Sequence, residues 1–306
     1  MPSTKQQTIS VTDFRGKSLS FDKPVQRIVC LLESATSGLY MLQAEQTLVG
    51  ISTNIYSAPL YPYYSLLDVR IRNKNLPTPG NWDFVNLESV IALQPDLVIL
   101  WSSQNEAIDA LESHHIPIYA VMLNSVDDIF KEIKDFGILL NRQERADSLI
   151  KFTKLQIASL KQSKDKSQSV YFMWASGMFE TAGLSSTVNN VITSAGFINV
   201  CQSKQEHVSI NAETLIQWNP DIILLWNTET CNPSDIINTS YLRTLKAVRS
   251  KKVFELPSSF DCDLWTLKYQ YAVTFLYNAV HNTSFSEETF GTKRDSLMTF
   301  LYGKPI

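Results

Sequence analysis

The amino-acid sequence predicts an α/β fold of two Rossmann-like lobes, each with a parallel sheet, joined by one long connecting helix. Short apolar runs alternate with helical patterns along most of the chain, which indicates parallel strands covered by helices. One segment, residues 86–101, recurs in the second half of the chain. The length of 306 residues is sufficient for two domains, each with its own hydrophobic core.

The repeated segment, residues 86–101, combines a short helix, a Pro-Asp turn and an apolar strand. Asn86 is a good N-cap, Glu88 suits the positive end of the helix dipole, and Pro95 ends the helix. The apolar run after the turn suits a strand that is buried on both faces. Residues 211–226 repeat Asn, Glu, Pro, Asp and Trp at the same spacing, so we interpret the architecture as duplicated.

The first lobe, assigned to residues 1–124, begins with a β-hairpin predicted from alternating apolar and polar residues around Arg15-Gly16. A stretch rich in Tyr and Pro, residues 54–82, is predicted to be irregular and functional rather than disordered. In order, the predicted elements are the hairpin over 8–21, a strand over 27–32, a helix over 35–44, a strand over 48–53, the first copy of the repeat, a helix over 106–114 and a strand over 118–122.

Two helices are predicted to connect the lobes over residues 125–164. Ser125 caps the first, and the second, from about residue 143 to about residue 161, keeps its apolar residues on one face. This second helix is the candidate for the single rigid connection. The second lobe is assigned to residues 165–306, with a strand over 169–174, a loop over 177–187, a helix over 188–195, the second copy of the repeat, a helix over 233–245, a strand over 252–256, a loop over 258–265, a helix over 266–280 and a C-terminal helix over 285–300.

Composition and charge exclude several classes of protein. A formal net charge of −3 gives no basis for nucleic-acid binding, and no apolar run is long enough to span a bilayer. The polar N-terminus carries no signal peptide, which fits either a cytoplasmic protein or a mature secreted form with an added Met. The four cysteines show no metal-finger spacing; Cys30 is predicted to be a small core residue, and a Cys201–Cys231 disulfide stays open.

Ligands of open α/β sheets bind beyond the carboxyl ends of the strands, and this rule selects the candidate site residues. Each Trp that ends a strand is, taken alone, more often a packing residue than a ligand contact. Together they predict a cleft between the lobes for a flat or bulky organic ligand. His207 precedes the second copy of the helix, in a predicted loop that faces this cleft. The candidate ligand-binding residues are Trp82, Trp101, Ser103, Trp174, His207, Trp226, Thr228 and Trp265.

Enzyme signatures are missing from the sequence, which has no GxGxxG, Walker loop, GxSxG or HExxH motif. We therefore assign no catalytic residues and predict that the protein is not an enzyme. Four histidines make a closed zinc site built only from protein side chains a poor interpretation. Two alternatives stay open. One is a two-lobed Rossmann-like enzyme of the glycosyltransferase type, although the ten glycines form no phosphate-binding cluster. The other is a receptor for free metal ions, which requires several convergent ligands.

The chain resembles the substrate-binding proteins of class III ABC importers, which bind ferric siderophores, haem and cobalamin. The opening VTDFRGKSLSFDKPVQRIVCL is similar to the family's N-terminal hairpin and first strand, and both lobes carry the Asn-x-Glu…Pro-Asp unit. Through HVSINAETLIQWNPD the chain is most similar to the CeuE-type (enterochelin-uptake) proteins. The resemblance implies that His207 coordinates the metal of a bound chelate. It also implies that Glu88 and Glu213, one in each lobe, dock on arginines of a permease.

The chain departs from its catecholate-binding relatives at four positions. Their three ligand-binding arginines align near Ser103, Thr187 and Thr228, and their metal-binding tyrosine aligns near Asp261. A trianionic catecholate complex needs charged partners once it is desolvated, so a neutral or weakly charged chelate is favoured. The resulting hypothesis is a monomeric periplasmic receptor without an intrinsic cofactor. Its cargo is an iron, nickel or cobalt chelate, such as a siderophore, a small metallophore or cobalamin, which it delivers to an ABC permease in the inner membrane.

Overall fold

The structure is a computed structural model that describes residues 8–160, 168–228, 231–282 and 287–306. The contacts within the chain divide it into two compact units. Unit 1 contains the described residues up to Leu123 together with Asp127–Lys151 and Met298–Ile306. Unit 2 contains Asn124–Val126 and the described residues from Phe152 to Leu297. None of the helices within the described residues is long and apolar enough to cross a bilayer.

The first half of the chain begins with an antiparallel hairpin and then alternates strands with helices. Short 3-10 turns cover Glu45–Thr47 and Thr53–Tyr56. The strands and helices are, in order, β1 (Ile9–Thr12), β2 (Ser18–Phe21), β3 (Ile28–Cys30), α1 (Glu33–Met41), β4 (Leu48–Ile51), α2 (Tyr61–Leu67), α3 (Val69–Arg72), α4 (Leu87–Ala92), β5 (Leu97–Trp101), α5 (Asn105–Ser113), β6 (Ile118–Val121), α6 (Val126–Leu139) and α7 (Gln143–Ala158).

The second half repeats the alternation of strands and helices, with one 3-10 turn over Ser240–Leu242. Its elements are β7 (Ser169–Met173), β8 (Glu180–Ala182), α8 (Thr187–Ser194), β9 (Ile198–Asn199), β10 (His207–Ser209), α9 (Ala212–Trp218), β11 (Ile222–Leu225), α10 (Pro233–Asn238), α11 (Lys246–Arg249), β12 (Val253–Glu255), α12 (Tyr269–His281) and α13 (Glu287–Tyr302).

The main sheet of unit 1 has four parallel strands in the order β4-β3-β5-β6. Ile28 of β3 lies opposite Leu97 of β5, and Val98 of β5 lies opposite Ile118 of β6. Apolar residues of α4 and α5 pack with β3, β5 and β6 in one buried cluster. The uninterrupted apolar run of β5 reflects this burial, because a central parallel strand has no solvent-facing side.

The main sheet of unit 2 also has four parallel strands, in the order β12-β11-β7-β9. Ile223 of β11 lies between Tyr171 of β7 and Val253 of β12. The predicted α/β fold with two parallel sheets is therefore confirmed. A separate antiparallel pair, β8 with β10, sets Ala182 opposite His207. Strand β8 lies inside residues 177–187, which were predicted as a loop, because a strand of three residues is too short to show alternation.

The two copies of the repeated segment have the same local structure. The Asn86 Oδ1 atom accepts the N–H of Ser89 at 2.9 Å, and the Asn211 Oδ1 atom accepts the N–H of Thr214 at 2.8 Å. The residues before the two prolines, Gln94 and Asn219, both have positive φ, +47° and +45°. These matching caps and turns support the interpretation that the architecture is duplicated.

The aspartates of the repeat, Asp96 and Asp221, also make equivalent hydrogen bonds in the two units. The Asp96 Oδ2 atom accepts the N–H groups of Gln26 and Arg27, each at 3.0 Å, just before β3. The Asp221 Oδ2 atom accepts the N–H of Ser169, the first residue of β7, at 2.9 Å. Each carboxylate thus ties the start of one strand to the turn before its neighbour.

The stretch over residues 54–82 differs from the prediction that it is irregular. It contains the end of a 3-10 turn and two short helices, α2 and α3. The Asp68 carboxylate caps α3 by accepting the N–H of Arg70 at 2.7 Å. It also accepts a hydrogen bond from the Tyr40 hydroxyl at 2.7 Å. Tertiary contacts therefore stabilise helices that are too short to show a periodic pattern in the sequence.

The helix predicted over residues 233–245 is shorter in the structure. Helix α10 ends at Asn238, because Thr239 takes an extended backbone with φ −68° and ψ 115°. The 3-10 turn and α11 follow. The cysteines show no disulfide: Cys30 and Cys201 are buried free thiols, as predicted for Cys30.

By this division the chain enters unit 2 briefly at Asn124–Val126 and again at Phe152, inside α7, and it returns to unit 1 at Met298, inside α13. The sequence analysis placed the connecting helices at 125–164 and kept the whole C-terminal helix in the second lobe. Its boundaries, 125–164 for the connecting helices and 165–306 for the second lobe, therefore differ from the division by contacts. The end of α13 belongs to unit 1 because its carbonyl groups and side chains are bound there.

Two contacts hold the end of α13 in unit 1. The Arg145 Nη2 atom donates to the carbonyl oxygens of Phe300 and Leu301 at 2.6 and 2.9 Å. The hydroxyl groups of Ser37 and Tyr302 share a buried hydrogen bond of 2.7 Å. Contacts between residues so distant in sequence leave no local pattern from which they could be predicted.

Candidate functional site

Four of the predicted site residues lie together in unit 2. We call this group the aromatic cluster and define it as Trp174, His207, Trp226 and Trp265. Trp174 and Trp226 directly follow β7 and β11, so they stand at the carboxyl ends of two neighbouring parallel strands. The Trp226 N–H donates to the carbonyl oxygen of Met173 at 2.8 Å, which continues the pairing of the two strands.

The three indole rings of the aromatic cluster contact one another. The ring of Trp174 lies 5.6 Å from that of Trp226 and 6.0 Å from that of Trp265, centroid to centroid. The Trp174 and Trp265 rings are stacked with an interplanar angle of 9°. Trp226 and Trp265 meet edge to face, with centroids 6.2 Å apart. These are the distances and orientations of favourable aromatic pairs.

His207 borders this cluster with an exposed imidazole. Its ring centroid lies 5.4 Å from that of Trp174, and its side chain is 63% exposed. The prediction that His207 lies in a loop is wrong, because its backbone pairs with Ala182 of β8 in a short strand. Across the part of the chain that the structure describes, no group of three or more His, Cys, Asp or Glu side chains is placed to hold a metal ion. His207 offers one nitrogen donor to a ligand.

Two carboxylates lie beside the aromatic cluster. The Glu206 carboxylate is 4.0 Å from the imidazole Nε2 atom. Glu255, the last residue of β12, accepts hydrogen bonds from the Asn227 side-chain amide at 3.0 Å and from the Thr228 N–H at 3.3 Å. These bonds fix the backbone directly after Trp226.

The loop that carries Trp265 contains an ion pair between a buried lysine and a partly buried aspartate, which the sequence analysis missed. The Lys268 side chain is 1% exposed, and its Nζ atom lies 3.7 Å from the Asp263 carboxylate. The Asp263 Oδ1 atom accepts the N–H of Trp265 at 3.1 Å. Burial lowers the pKa of Lys268 and raises the pKa of Asp263, because removal from water penalises both charged forms. A lysine and an aspartate in a loop resemble ordinary surface residues in the sequence, so no local signal marks them.

The three predicted site residues of unit 1, Trp82, Trp101 and Ser103, all line a recess of about 790 Å³. Trp82 is 57% exposed. Phe84 is 52% exposed and also lines the recess, although the sequence analysis did not select it. The available signal was its position two residues after Trp82 in a turn that begins Gly-Asn. Exposed aromatic side chains around a recess are typical of ligand contacts.

The turn that carries Trp82 and Phe84 is held by its own side chains and backbone. The Asn81 Oδ1 atom accepts the N–H groups of Asp83 and Phe84 at 2.8 and 3.1 Å. Gly80 has a φ of +156°, and a Cβ atom at this position would collide with the carbonyl oxygen of Phe84. Only glycine therefore suits this turn.

Two further side chains tie the turn to the sheet of unit 1. The Asn81 Nδ2 atom donates to the Thr53 Oγ1 atom at 2.9 Å. The Gln104 side chain accepts the N–H of Trp101 at 3.3 Å and donates to the carbonyl oxygen of Asn81 at 3.1 Å. Gln104 thus links the turn of Trp82 to the end of β5. This link is a tertiary contact that the sequence does not reveal.

Glu88 and Glu213 lie in the first turns of α4 and α9, and both are exposed. Their carboxylates occupy equivalent positions, because the two helices begin with the same cap. Their docking role stays a prediction, as do the ligand-binding roles of the cluster residues. The cleft between the lobes stays a prediction as well.

Two positions at which the chain departs from catecholate-binding relatives have structural roles. Thr187 is the first residue of α8 and is 2% exposed. Asp261 is 6% exposed, and its Oδ1 atom accepts a hydrogen bond from Arg294 Nε at 3.1 Å. The Asp261 carboxylate is therefore already paired.

A comparison with known families places the chain. The family model described as periplasmic binding protein matches residues 28–260, from β3 of unit 1 to the loop after β12 of unit 2. The chain belongs to this family. The resemblance seen in the sequence is confirmed, and this protein is a periplasmic binding protein of the ABC transporter type.

Curated relatives of this periplasmic binding protein cover most of its length. The uncharacterized ABC transporter substrate-binding lipoprotein YvrC of Bacillus subtilis is 24% identical over 277 residues, 86% of this chain and 82% of the relative. The molybdate-binding protein MolA of Haemophilus influenzae is 23% identical over 274 residues, 81% of this chain and 77% of the relative. The vitamin B12-binding protein of Vibrio campbellii is 25% identical over 253 residues, 74% of this chain and 87% of the relative.

Solved structures show the same fold at low identity. The molybdate-bound MolA of Haemophilus influenzae superposes with a TM-score of 0.78 at 21% identity, covering 97% of this chain and 98% of that protein. The nickel–histidine complex of Helicobacter pylori CeuE superposes with a TM-score of 0.72 at 17% identity, covering 97% of this chain and 96% of that protein. These relatives bind different cargoes, so the fold does not identify the cargo of this protein.

Proposed function

We propose that this periplasmic binding protein captures a small metal chelate and delivers it to an ABC permease. The observation that carries the proposal is the aromatic cluster, in which three contacting indole rings meet one exposed imidazole. Indole faces supply apolar area for an organic ligand, and the His207 nitrogen supplies one donor for a metal or one hydrogen bond.

The donor chemistry supports a chelate over a free ion. A bound transition metal takes about four or more ligands, and His207 supplies one. The chelator then provides the remaining donors and the surface that packs on the indole rings. A receptor for free metal ions would gain little from three tryptophans, because apolar rings do not ligate a divalent ion.

The charge around the aromatic cluster supports a neutral or cationic chelate. Glu206 and Glu255 lie beside the cluster, whereas the positions of the relatives' arginines are Ser103, Thr187 and Thr228. A trianionic ferric catecholate or a molybdate ion needs charge-assisted donors when it leaves water. Nickel held by histidine, which the Helicobacter pylori structure contains, and a cobalamin are therefore the preferred candidates for this chain.

Delivery is proposed to occur at the outer face of the cytoplasmic membrane, with Glu88 and Glu213 contacting basic residues of the permease. Two exposed carboxylates at equivalent helix starts, one in each unit, support this assignment. The protein acts as a monomer in this proposal and carries out no chemical reaction.

A titration followed by tryptophan fluorescence and by calorimetry tests the proposed cargo. The ligands are free Ni²⁺, Ni²⁺ with L-histidine, a ferric catecholate, molybdate and cyanocobalamin. We expect the wild type to bind one of the two preferred chelates. The Trp174→Phe variant should bind that chelate about tenfold or more weakly. Trp218→Phe is the matched control, because Trp218 lies in α9 and its ring faces Tyr171, 6.3 Å away.

Three results would contradict the proposal. Free Ni²⁺ that binds at least as tightly as every chelate would identify a receptor for metal ions. Molybdate or a ferric catecholate that binds best would overturn the charge argument. Turnover of a sugar nucleotide would support the enzymatic alternative.

A further inference from the structure

The stacked position of Trp265 in the aromatic cluster is not explained by its own local secondary structure. Trp265 lies in the irregular stretch between β12 and α12, where the described backbone has no strand partner. Its ring nevertheless lies parallel to that of Trp174 at an angle of 9°. An irregular segment holds a side chain in one orientation only when other groups fix its backbone.

The group that fixes this backbone is the Asp263 carboxylate. One of its oxygens accepts the N–H of Trp265 at 3.1 Å. The other lies 3.7 Å from Lys268 Nζ. The Lys268 ammonium group also lies 3.6 Å from the centroid of the Phe260 ring, a close cation–π contact. The carboxylate therefore joins the Trp265 backbone to the Lys268 ammonium group.

Burial of the Lys268 ammonium group costs desolvation free energy. A buried ion pair often contributes no more to stability than a well-packed apolar pair of the same volume. What an ion pair does provide is direction, since the Asp263 carboxylate must face Lys268 and Trp265 at once. The backbone N–H of Lys268 donates to the Thr266 hydroxyl at 3.2 Å, so the backbone that carries this lysine is held as well.

We propose that Lys268 and Asp263 are positioning residues that hold Trp265 against Trp174 and so preform the ligand-binding face of the aromatic cluster. This inference rests on the proposed function for its consequence in binding. Its structural part stands alone, because the stacking of Trp265 can be measured without a ligand. Neither side chain contacts the ligand in this proposal.

Contacting tryptophans produce an exciton couplet in far-ultraviolet circular dichroism, and this couplet reports the stacking directly. We expect Trp265→Phe to set the reference for a cluster without this ring. Lys268→Met, which keeps the length of the side chain and removes its charge, should reduce the couplet toward that reference. It should also weaken binding of Ni²⁺ with L-histidine or of cyanocobalamin by about tenfold. Lys268→Arg should restore part of the couplet.

The matched control is Lys246→Met, which breaks an exposed lysine–aspartate pair of the same unit, with Lys246 Nζ 3.5 Å from Asp221. It should leave the couplet and binding unchanged. If Lys268→Met does not fold, the isosteric Asp263→Asn takes its place, and thermal unfolding verifies that the variant is native.

The couplet and the titration separate the two hypotheses. A folded Lys268→Met or Asp263→Asn protein with the wild-type couplet overturns the positioning role, whatever its ligand affinity. A reduced couplet supports the role even if neither probe binds the wild type, and that failure would count against the proposed function alone. A reduced couplet with undiminished binding would overturn the claim that stacking preforms the binding face.

Discussion

At the scale of single residues, His207 is the proposed metal ligand. Its imidazole contacts Trp174 and is exposed, so it can bind a ligand without any rearrangement of the core. An imidazole that fills an open coordination position distinguishes an unsaturated chelate from a saturated one.

We expect His207→Ala to weaken Ni²⁺–L-histidine binding by about tenfold and to leave cyanocobalamin binding nearly unchanged, measured by calorimetry. His281→Ala is the control, because that imidazole stacks on Phe197 outside the aromatic cluster, with centroids 5.5 Å apart. Equal affinities of His207→Ala and the wild type for both ligands would show that His207 is not a metal ligand.

Asp68 links residue chemistry to stability in acid. Burial alone would raise the pKa of this carboxyl, but hydrogen bonds from Arg70 and Tyr40 outweigh burial, and the pKa is lowered. Its contribution to stability is therefore fully present above the ordinary pKa of about 3.9. It is lost as the pH falls through the lowered value in the folded state.

We expect Asp68→Asn to reduce the free energy of unfolding at neutral pH by about 1–3 kcal/mol, because Tyr40 and Arg70 lose a charged partner. The difference from the wild type should shrink as the pH falls from about 6 to about 2. Urea unfolding at several pH values measures it. A difference that stays constant over this range would show that the Asp68 charge contributes nothing.

At the scale of elements, the turn over residues 80–84 decides where two exposed aromatic side chains of unit 1 lie. Gly80 combines a positive φ with close contact to the carbonyl oxygen of Phe84. Gly16, in the β1–β2 hairpin, also has a positive φ, +83°, but open space around it. Alanine substitutions at these two glycines therefore separate the effect of backbone strain from the effect of a collision with the Cβ atom.

We expect Gly80→Ala to lower the free energy of unfolding by about 1–3 kcal/mol and to shift the emission of Trp82. Gly16→Ala should cost about 1 kcal/mol and leave the emission unchanged. Denaturation followed by fluorescence measures both effects. Equal costs for the two variants would show that the contact with Phe84 is unimportant.

Helices α4 and α9 show what a duplicated element provides. Both begin at an asparagine cap, both carry a first-turn glutamate, and both precede an aspartate that binds the neighbouring strand. The caps and aspartates stabilise each unit. The glutamates are exposed first-turn residues, and their proposed role is to dock on a partner.

At the scale of the whole molecule, the two glutamates yield a prediction about transport. We expect Glu88→Ala and Glu213→Ala each to reduce stimulation of the reconstituted permease ATPase. In the double variant this stimulation should fall about tenfold or more, because two basic residues of the permease would lose their carboxylate partners. Ligand affinity should not change.

Glu144→Ala is the control, because Glu144 is likewise an exposed glutamate in the first turn of a helix, α7. Wild-type stimulation by the double variant would contradict the docking role. Reduced stimulation by Glu144→Ala as well would indicate a general effect of net charge.

The parallel sheets, the repeated unit and the positions of Trp101, Trp174 and Trp226 at strand ends were predictable because each depends on residues near one another in the sequence. The positions of α2, α3 and β8 were not, because these elements are too short for a periodic signal and depend on tertiary contacts. The assignment of the end of α13 to unit 1 was missed because it depends on contacts between residues far apart in the sequence.

Residues close together in the sequence were enough to predict the fold class and to select Trp174, His207, Trp226 and Trp265, and the motifs in both lobes carry the family resemblance. Caps, prolines and apolar runs act over a few residues, so their effects can be read directly from the chain. Only the tertiary structure decided that these four side chains lie together and that the buried Lys268 pairs with the aspartate that binds the Trp265 backbone. Burial and stacking depend on which distant segments meet, and the sequence order does not specify that.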